Sequence, residues 1–180
     1  METIALFGGS FDPPHIGHLA IIEALKKLEQ IDKIIIMPTF LNPFKTESHA
    51  SSVLRLQWLH EIFSDEKQVI ISDYEVTQGK KTPTIESVNY LLKSYSKIYL
   101  VIGADNLASL HQWERYKELC TKVTFIVATR DKIEIPENFL SLDVQEEISS
   151  SQLRDTMDIT KLIPKCAQKI ADFYKENNAK

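Results

Sequence analysis

The sequence predicts a doubly wound α/β fold: a parallel sheet of five to six strands, helices on both faces and a helical C-terminal part. Three observations carry this prediction. Short apolar runs recur along the 180 residues, each nearly continuous in apolar character. Amphipathic stretches with helical spacing separate them. Two loop-forming dipeptides, Gly8-Gly9 and Pro13-Pro14, stand where the first run meets the first helical pattern.

The strands come first. "TIALFG" (3–8), "KIIIMP" (33–38), "QVIIS" (68–72), "KIYLVIG" (97–103) and "KVTFIVA" (122–128) are rich in β-branched and aromatic residues. Continuous apolar runs of this length suit strands buried on both faces. "FLSLDV" (139–144) is a weaker sixth candidate. The helices follow from their stripes: Ile21, Ala24, Leu25 and Leu28; then Leu54, Trp58 and Ile62 within 52–63; then Ile85, Val88, Leu91 and Leu92 within 84–95. A fourth helix is expected over 113–120, a short one in "SSSQLRDTM" with a serine cap, and a last one over 165–176. The β-α alternation predicts right-handed crossovers. Ligands of such sheets bind outside the C-terminal strand ends, where the strand order reverses. Stretches 38–51 and 129–138 are the expected mobile loops, and one domain spanning 1–180 is expected.

Composition narrows the class. Hydrophobic residues at 43% are ordinary for a soluble globular protein, and a formal charge of −4 argues against a protein whose main task is to bind nucleic acid. The two cysteines, Cys120 and Cys166, lack metal-ligand spacing and read as reduced thiols of a cytoplasmic protein. The N-terminus lacks the pattern of a signal peptide, and no apolar run reaches membrane-spanning length.

The chemistry concentrates in "FGGSFDPPHIGHLA" (7–20). Gly8 and Gly9 let the backbone turn sharply and approach a ligand. Asp12 can cap the following helix, and proline suits a first turn. Free N–H groups and the helix dipole make this turn attractive to anions. His15 and His18, three apart, share a face and can donate to phosphate oxygens. Gly17 between them leaves room for something bulky. A capping and a core histidine is the plainer alternative for the pair. "ISSSQLRD" (148–155) opens a helix with three serines and adds Arg154 one turn later, a set suited to polyphosphate or simply to a capped surface helix. In "GADNLASLHQW" (103–113), Gly103 and Asp105 end the fourth strand; Asp105 can accept from ribose hydroxyls, cap a helix, or both. The fingerprint Gly-x-Gly-x-x-Gly is absent, which disfavours a NAD-binding dehydrogenase.

"GGSFDPPHIGHL" resembles the signature of the nucleotidyltransferases, and in particular of bacterial nicotinate mononucleotide adenylyltransferases. Phosphopantetheine adenylyltransferases usually carry Thr at the position of His15, and cytidylyltransferases Asp-Leu-Leu-His. The resemblance runs from residue 3 to about 174 and implies a Rossmann-like fold. It implies transfer of the adenylyl group of ATP to nicotinate mononucleotide, with Mg²⁺ carried on the ATP phosphates and no protein-made metal site. His15, His18, Lys45 and Arg154 are then the catalytic residues. Gly8, Gly9, Ser10, Phe11, Gly17, Gly103, Asp105, Ser150 and Ser151 hold ATP. Thr84, Trp113, Lys45 and Arg55 hold the mononucleotide, Trp113 by stacking and Thr84 at the carboxylate, or else as a helix cap.

There are departures. Ser151 stands for the family's usual Thr, Leu153 for Ile, Phe44 for His, and Glu114 for a frequent Tyr. Asp131-Lys132 replaces Pro-Gly after Arg130, itself a family match. Nicotinamide mononucleotide or phosphopantetheine as acceptor, or a non-catalytic nucleotide-binding module, are the competing readings. A homo-oligomer is compatible with this sequence but not required by it.

Overall fold

The computed structural model describes residues 1–146 and 148–178. Among them run six strands: β1 (Thr3–Gly9), β2 (Lys33–Pro38), β3 (Val69–Ile71), β4 (Lys97–Gly103), β5 (Val123–Thr129) and β6 (Leu140–Asp143). All neighbours pair in parallel, in the order β3-β2-β1-β4-β5-β6. The weak candidate near 139–144 is thus a true edge strand.

The helices are α1 (Ile16–Leu25), α2 (Ser52–Ile62), α3 (Tyr74–Gln78), α4 (Thr84–Leu91), α5 (Tyr116–Lys122), α6 (Ser150–Thr156) and α7 (Ala167–Asn178). Two differ from expectation. The fourth predicted helix begins at Tyr116 rather than 113, because Trp113 closes a 3₁₀ turn and Arg115 adopts a left-handed conformation at φ 54°. Helix α3 is too short, at five residues, to display a helical period.

Alternation along the strands divides the core in two. Ile4, Leu6, Ile35, Met37, Ile98 and Leu100 face one side, with Ile85 and Val88 of α4 and Leu119 of α5. Ala5, Phe7, Ile34, Ile36, Tyr99 and Val101 face the other, with Ile22 of α1, Trp58 of α2 and Ile170 of α7. Each Ile or Leu so buried contributes roughly 1.5–3 kcal/mol, which explains why the central strands are nearly continuous in apolar character. No described helix is long and apolar enough to cross a membrane.

This topology places the site. From β1 the chain passes through α1 to β2 on one side, while β4 lies on the other. The order therefore reverses between β1 and β4, and a crevice opens beyond their C-terminal ends.

Candidate active site

A cavity of about 570 Å³ fills that crevice. Gly8 and Gly9 of β1, Gly103 of β4 and the imidazoles of His15 and His18 form its floor. Its walls come from the loop after β2 (Thr39, Asn42, Pro43, Phe44), from the start of α4 (Thr82, Thr84, Ser87) and from the turn after β4 (Asp105, Trp113).

The two histidines hold each other. His15 is the N-cap of α1, and its Nδ1 accepts from the backbone N–H of Gly17 at 3.1 Å and of His18 at 3.4 Å. The His18 Nδ1 accepts in return from the His15 N–H at 3.1 Å. This is a capping box built from two imidazoles. The rings stack 3.7 Å apart at 19°. Because both Nδ1 atoms accept, the hydrogen-bond pattern assigns the proton of each neutral ring to Nε2. Burial pushes the His15 pKa down to about 4. Burial, and then the His15 ring, hold His18 well below its ordinary 6.5. Near neutral pH the pair is therefore uncharged and offers Nε2–H donors. The expected cap at Asp12 is corrected to His15.

Gly17 is required by the stacked pair. A Cβ there would lie 2.9 Å from the His15 ring, so the bulky neighbour it accommodates is this imidazole. Phe11 lies left-handed at φ 50°, buried between Phe7 and His18. It supports the ring from behind instead of lining the cavity.

Asp12 is the anchor of the loop. Its carboxylate accepts from the N–H of His49 at 2.8 Å and of Ala50 at 3.0 Å, and from the Tyr174 hydroxyl of α7. Burial pushes its pKa up, but the Tyr174 hydroxyl, the two backbone N–H groups and the Arg154 charge outweigh it and hold the carboxyl low. The Asp12–Pro13 peptide is cis.

Several expected contacts take another form. Arg55 is wholly buried, and its guanidinium donates to Ala50 O at 3.0 Å, Ser10 O at 2.6 Å and Phe40 O at 3.0 Å. The substrate-binding role expected for Arg55 is thus corrected to a structural one: it ties the loop after β1 to the loop after β2. Ser10 contributes its carbonyl to that tie. Arg154 donates to Asp12 O at 2.6 Å, and Ser150 Oγ to Pro13 O at 3.3 Å. Ser149, not a later serine, caps α6, accepting from Gln152 N–H. Ser151 is exposed. None of Ser150, Ser151 and Arg154 lines the main cavity; Ser150 and Arg154 brace the histidine loop from outside it. A smaller cavity beside it, about 370 Å³, is lined by Arg130, Ser149, Gln152 and Lys161, and shares Arg130 with the main one. Lys45 is exposed on the loop whose Asn42, Pro43 and Phe44 border the cavity, one residue beyond that wall.

Thr84 and Trp113 both line the cavity, on different elements. Pro83, not Thr84, is the cap of α4. Trp113 Nε1 is buried with no hydrogen-bond partner. Gly103 lets Asp105 fold back on the strand end, since a Cβ there would meet Asp105 Oδ1 at 2.6 Å. Glu75 of α3 also lines the wall and was not anticipated; an isolated acid in a polar stretch carries no periodic or motif signal.

Comparison with known proteins agrees with this architecture. Residues 6–156 match the model of the cytidylyltransferase-like family. A relative from Sulfurimonas denitrificans named "Probable nicotinate-nucleotide adenylyltransferase" is 65% identical over all of this chain and 99% of its own. A Campylobacter fetus relative of the same name is 44% identical over 99% of each chain. In fold, the chain is similar to a Plasmodium falciparum nicotinic acid mononucleotide adenylyltransferase solved with NaAD, at TM-score 0.76 and 20% identity, covering 99% of this chain and 97% of that one.

Proposed function

The chain belongs to the cytidylyltransferase-like family and, within it, to the nicotinate-nucleotide adenylyltransferases, and from that premise we propose that it transfers the adenylyl group of ATP to nicotinate mononucleotide. The products are nicotinate adenine dinucleotide, a precursor of NAD, and pyrophosphate. The observation that carries the reading is one cavity with a paired-histidine helix start on its floor and Thr84 and Trp113 on its walls.

An oxygen of the mononucleotide's 5′-phosphate forms a bond to the α-phosphorus of ATP. The bond from that phosphorus to the oxygen bridging to the β-phosphate breaks, and pyrophosphate departs with the electron pair. Little covalent chemistry is left to the protein, which positions two anions and stabilises charge. The Nε2–H groups of His15 and His18 donate to the α-phosphate region without bringing net charge. Cationic compensation comes from Lys45 when its loop closes, from Arg130 at the junction of the two cavities, and from Mg²⁺ entering with ATP as part of the substrate. On this reading the metal is held by phosphate oxygens and water. Gly8, Gly9, Gly17, Gly103 and Asp105 shape the ATP half, and Trp113 and Thr84 the pyridine half. The chain works as one domain, in the cytoplasm.

Incubating the protein with MgATP and nicotinate mononucleotide, and separating the nucleotides, tests this. The expected result is equimolar dinucleotide and pyrophosphate, with kcat/KM for the acid mononucleotide above those for nicotinamide mononucleotide and phosphopantetheine. Turnover with phosphopantetheine alone, or with no acceptor, overturns it.

A further inference from the structure

The turn that delivers the paired histidines is held from behind by α6 and α7, neither of which lines the main cavity. Pro13 and Pro14 have no N–H to donate, so the turn before His15 is fixed through its acceptors. Asp12 O accepts from Arg154 Nη1 of α6 at 2.6 Å, and Pro13 O from Ser150 Oγ at 3.3 Å. The Asp12 carboxylate accepts from two backbone N–H groups of the loop after β2 and from the Tyr174 hydroxyl of α7.

Tyr174 is itself locked in place. Its side chain is 1% exposed, edge-on to Phe173 at 5.1 Å and tilted against Trp58 at 5.9 Å. A ring packed in this way has one place for its hydroxyl, so the bond fixes Asp12 relative to the core. Burial and the Asp12 charge push the phenol well above its ordinary range, so it stays a donor. One turn later on α7, Asn178 Nδ2 donates to Arg154 O at 3.0 Å. Helix α7 therefore grips the histidine turn through Tyr174 and α6 through Asn178, while α6 grips the same turn through Arg154. The three segments close a triangle behind the histidines.

We propose that Tyr174 is a positioning residue for adenylyl transfer, setting through Asp12 where the His15 and His18 Nε2–H groups stand on the cavity floor. This rests on the adenylyl-transfer reading above. Donors that act by position lose their effect on small displacements, whereas affinity for two nucleotides is spread over the whole cavity. The role therefore falls on kcat rather than on KM.

The test compares wild type, Tyr174→Phe, Asn178→Ala and Ile170→Val in steady-state kinetics with MgATP and nicotinate mononucleotide, at a temperature where circular dichroism shows each protein folded. Phe keeps the packing and removes only the hydroxyl. It lowers kcat about tenfold and leaves both KM values within about threefold of wild type. The ring-proton NMR signals of His15 and His18 shift in the same variant. Ile170, fully buried on the same helix, makes no tie to the turn. Ile170→Val weakens the packing of α7 but keeps kcat and the histidine signals near wild type. Asn178→Ala, at an exposed position, lowers kcat about threefold, which keeps the proposal testable if Tyr174→Phe does not fold. A folded Tyr174→Phe with wild-type kcat or unshifted histidine signals overturns the proposal. So does an Ile170→Val that loses as much kcat as Tyr174→Phe, or, with Tyr174→Phe unfolded, an Asn178→Ala of wild-type kcat. A wild type that does not adenylylate the mononucleotide overturns the adenylyl-transfer reading instead, and the histidine signals then still test the tie.

Discussion

His15 and His18 cap each other: each Nδ1 accepts the backbone N–H of the other residue, with the rings stacked 3.7 Å apart. The turn thus spends one nitrogen of each ring on structure and leaves the other for a ligand. Stability and chemistry are carried by different atoms of the same side chains, which makes them separable by mutation.

His15→Asn retains a capping oxygen and loses the Nε2–H donor. Its denaturation midpoint stays near wild type, whereas His15→Ala costs about 1 kcal/mol as a lost cap. Both lower turnover. His18→Ala lowers turnover by about 10²-fold or more, on the scale of a lost oxyanion-type donor, with the fold retained. Near-normal pyrophosphate release by a folded His18→Ala protein sinks the role assigned to that ring.

Gly17→Ala separates sterics from contact. The new Cβ, 2.9 Å from the His15 ring, forces the imidazole off the cap. Turnover falls although no group that touches substrate has been removed. Circular dichroism shows the helices retained, and NMR of the histidine ring protons reads the displacement. An unshifted His15 signal with full activity counts against the packing argument.

Tyr174→Phe tests the anchor between α7 and the histidine loop. The buried Asp12 carboxylate loses a donor but keeps the N–H groups of His49 and Ala50. Urea denaturation is expected to show a loss of about 1.5–3 kcal/mol, the range for hydrogen bonds to charged groups. An unchanged midpoint assigns Asp12 wholly to the two backbone donors.

Two buried groups set opposite pH dependences. His15 titrates at about 4 in the folded chain against 6.5 ordinarily. Between these values the unfolded chain binds a proton that the folded chain refuses, so stability drops as pH falls from 6.5 to 4, by about 3 kcal/mol at most. Glu75 titrates at about 7 against 4.5. Here the folded chain keeps the proton longer, so stability drops as pH rises from 4.5 to 7. Glu75→Gln is therefore more stable than wild type at pH 8, by about 3 kcal/mol at most, and no more stable at pH 4.5. Urea titrations of both proteins at the two pH values check the sign. Equal differences at both pH values count against a buried, raised Glu75.

Much of this was legible in the chain. Strands buried on both faces leave continuous apolar runs, because neither side may be polar, and the five strong runs and the weak sixth are all strands. The glycines, prolines and histidines of "GGSFDPPHIGHL" mark a strand-to-helix turn, because only such residues turn that sharply and still face a ligand. Identity by itself determined the fold class, the family signature and the presence of imidazoles at a helix start. What each polar side chain touches was decided only by the tertiary structure. Arg55 looks like a substrate-binding cation in one dimension, yet three carbonyls from two loops consume its guanidinium. Asp12 looks like a helix cap, yet its partners lie 37, 38 and 162 residues away. Glu75 carries no motif signal in the chain, yet it is buried and hydrogen-bonded to Ser87 of α4. The physical reason is common to all three: hydrogen bonds and desolvation depend on neighbours in space, while periodicity and local propensity report only neighbours along the chain.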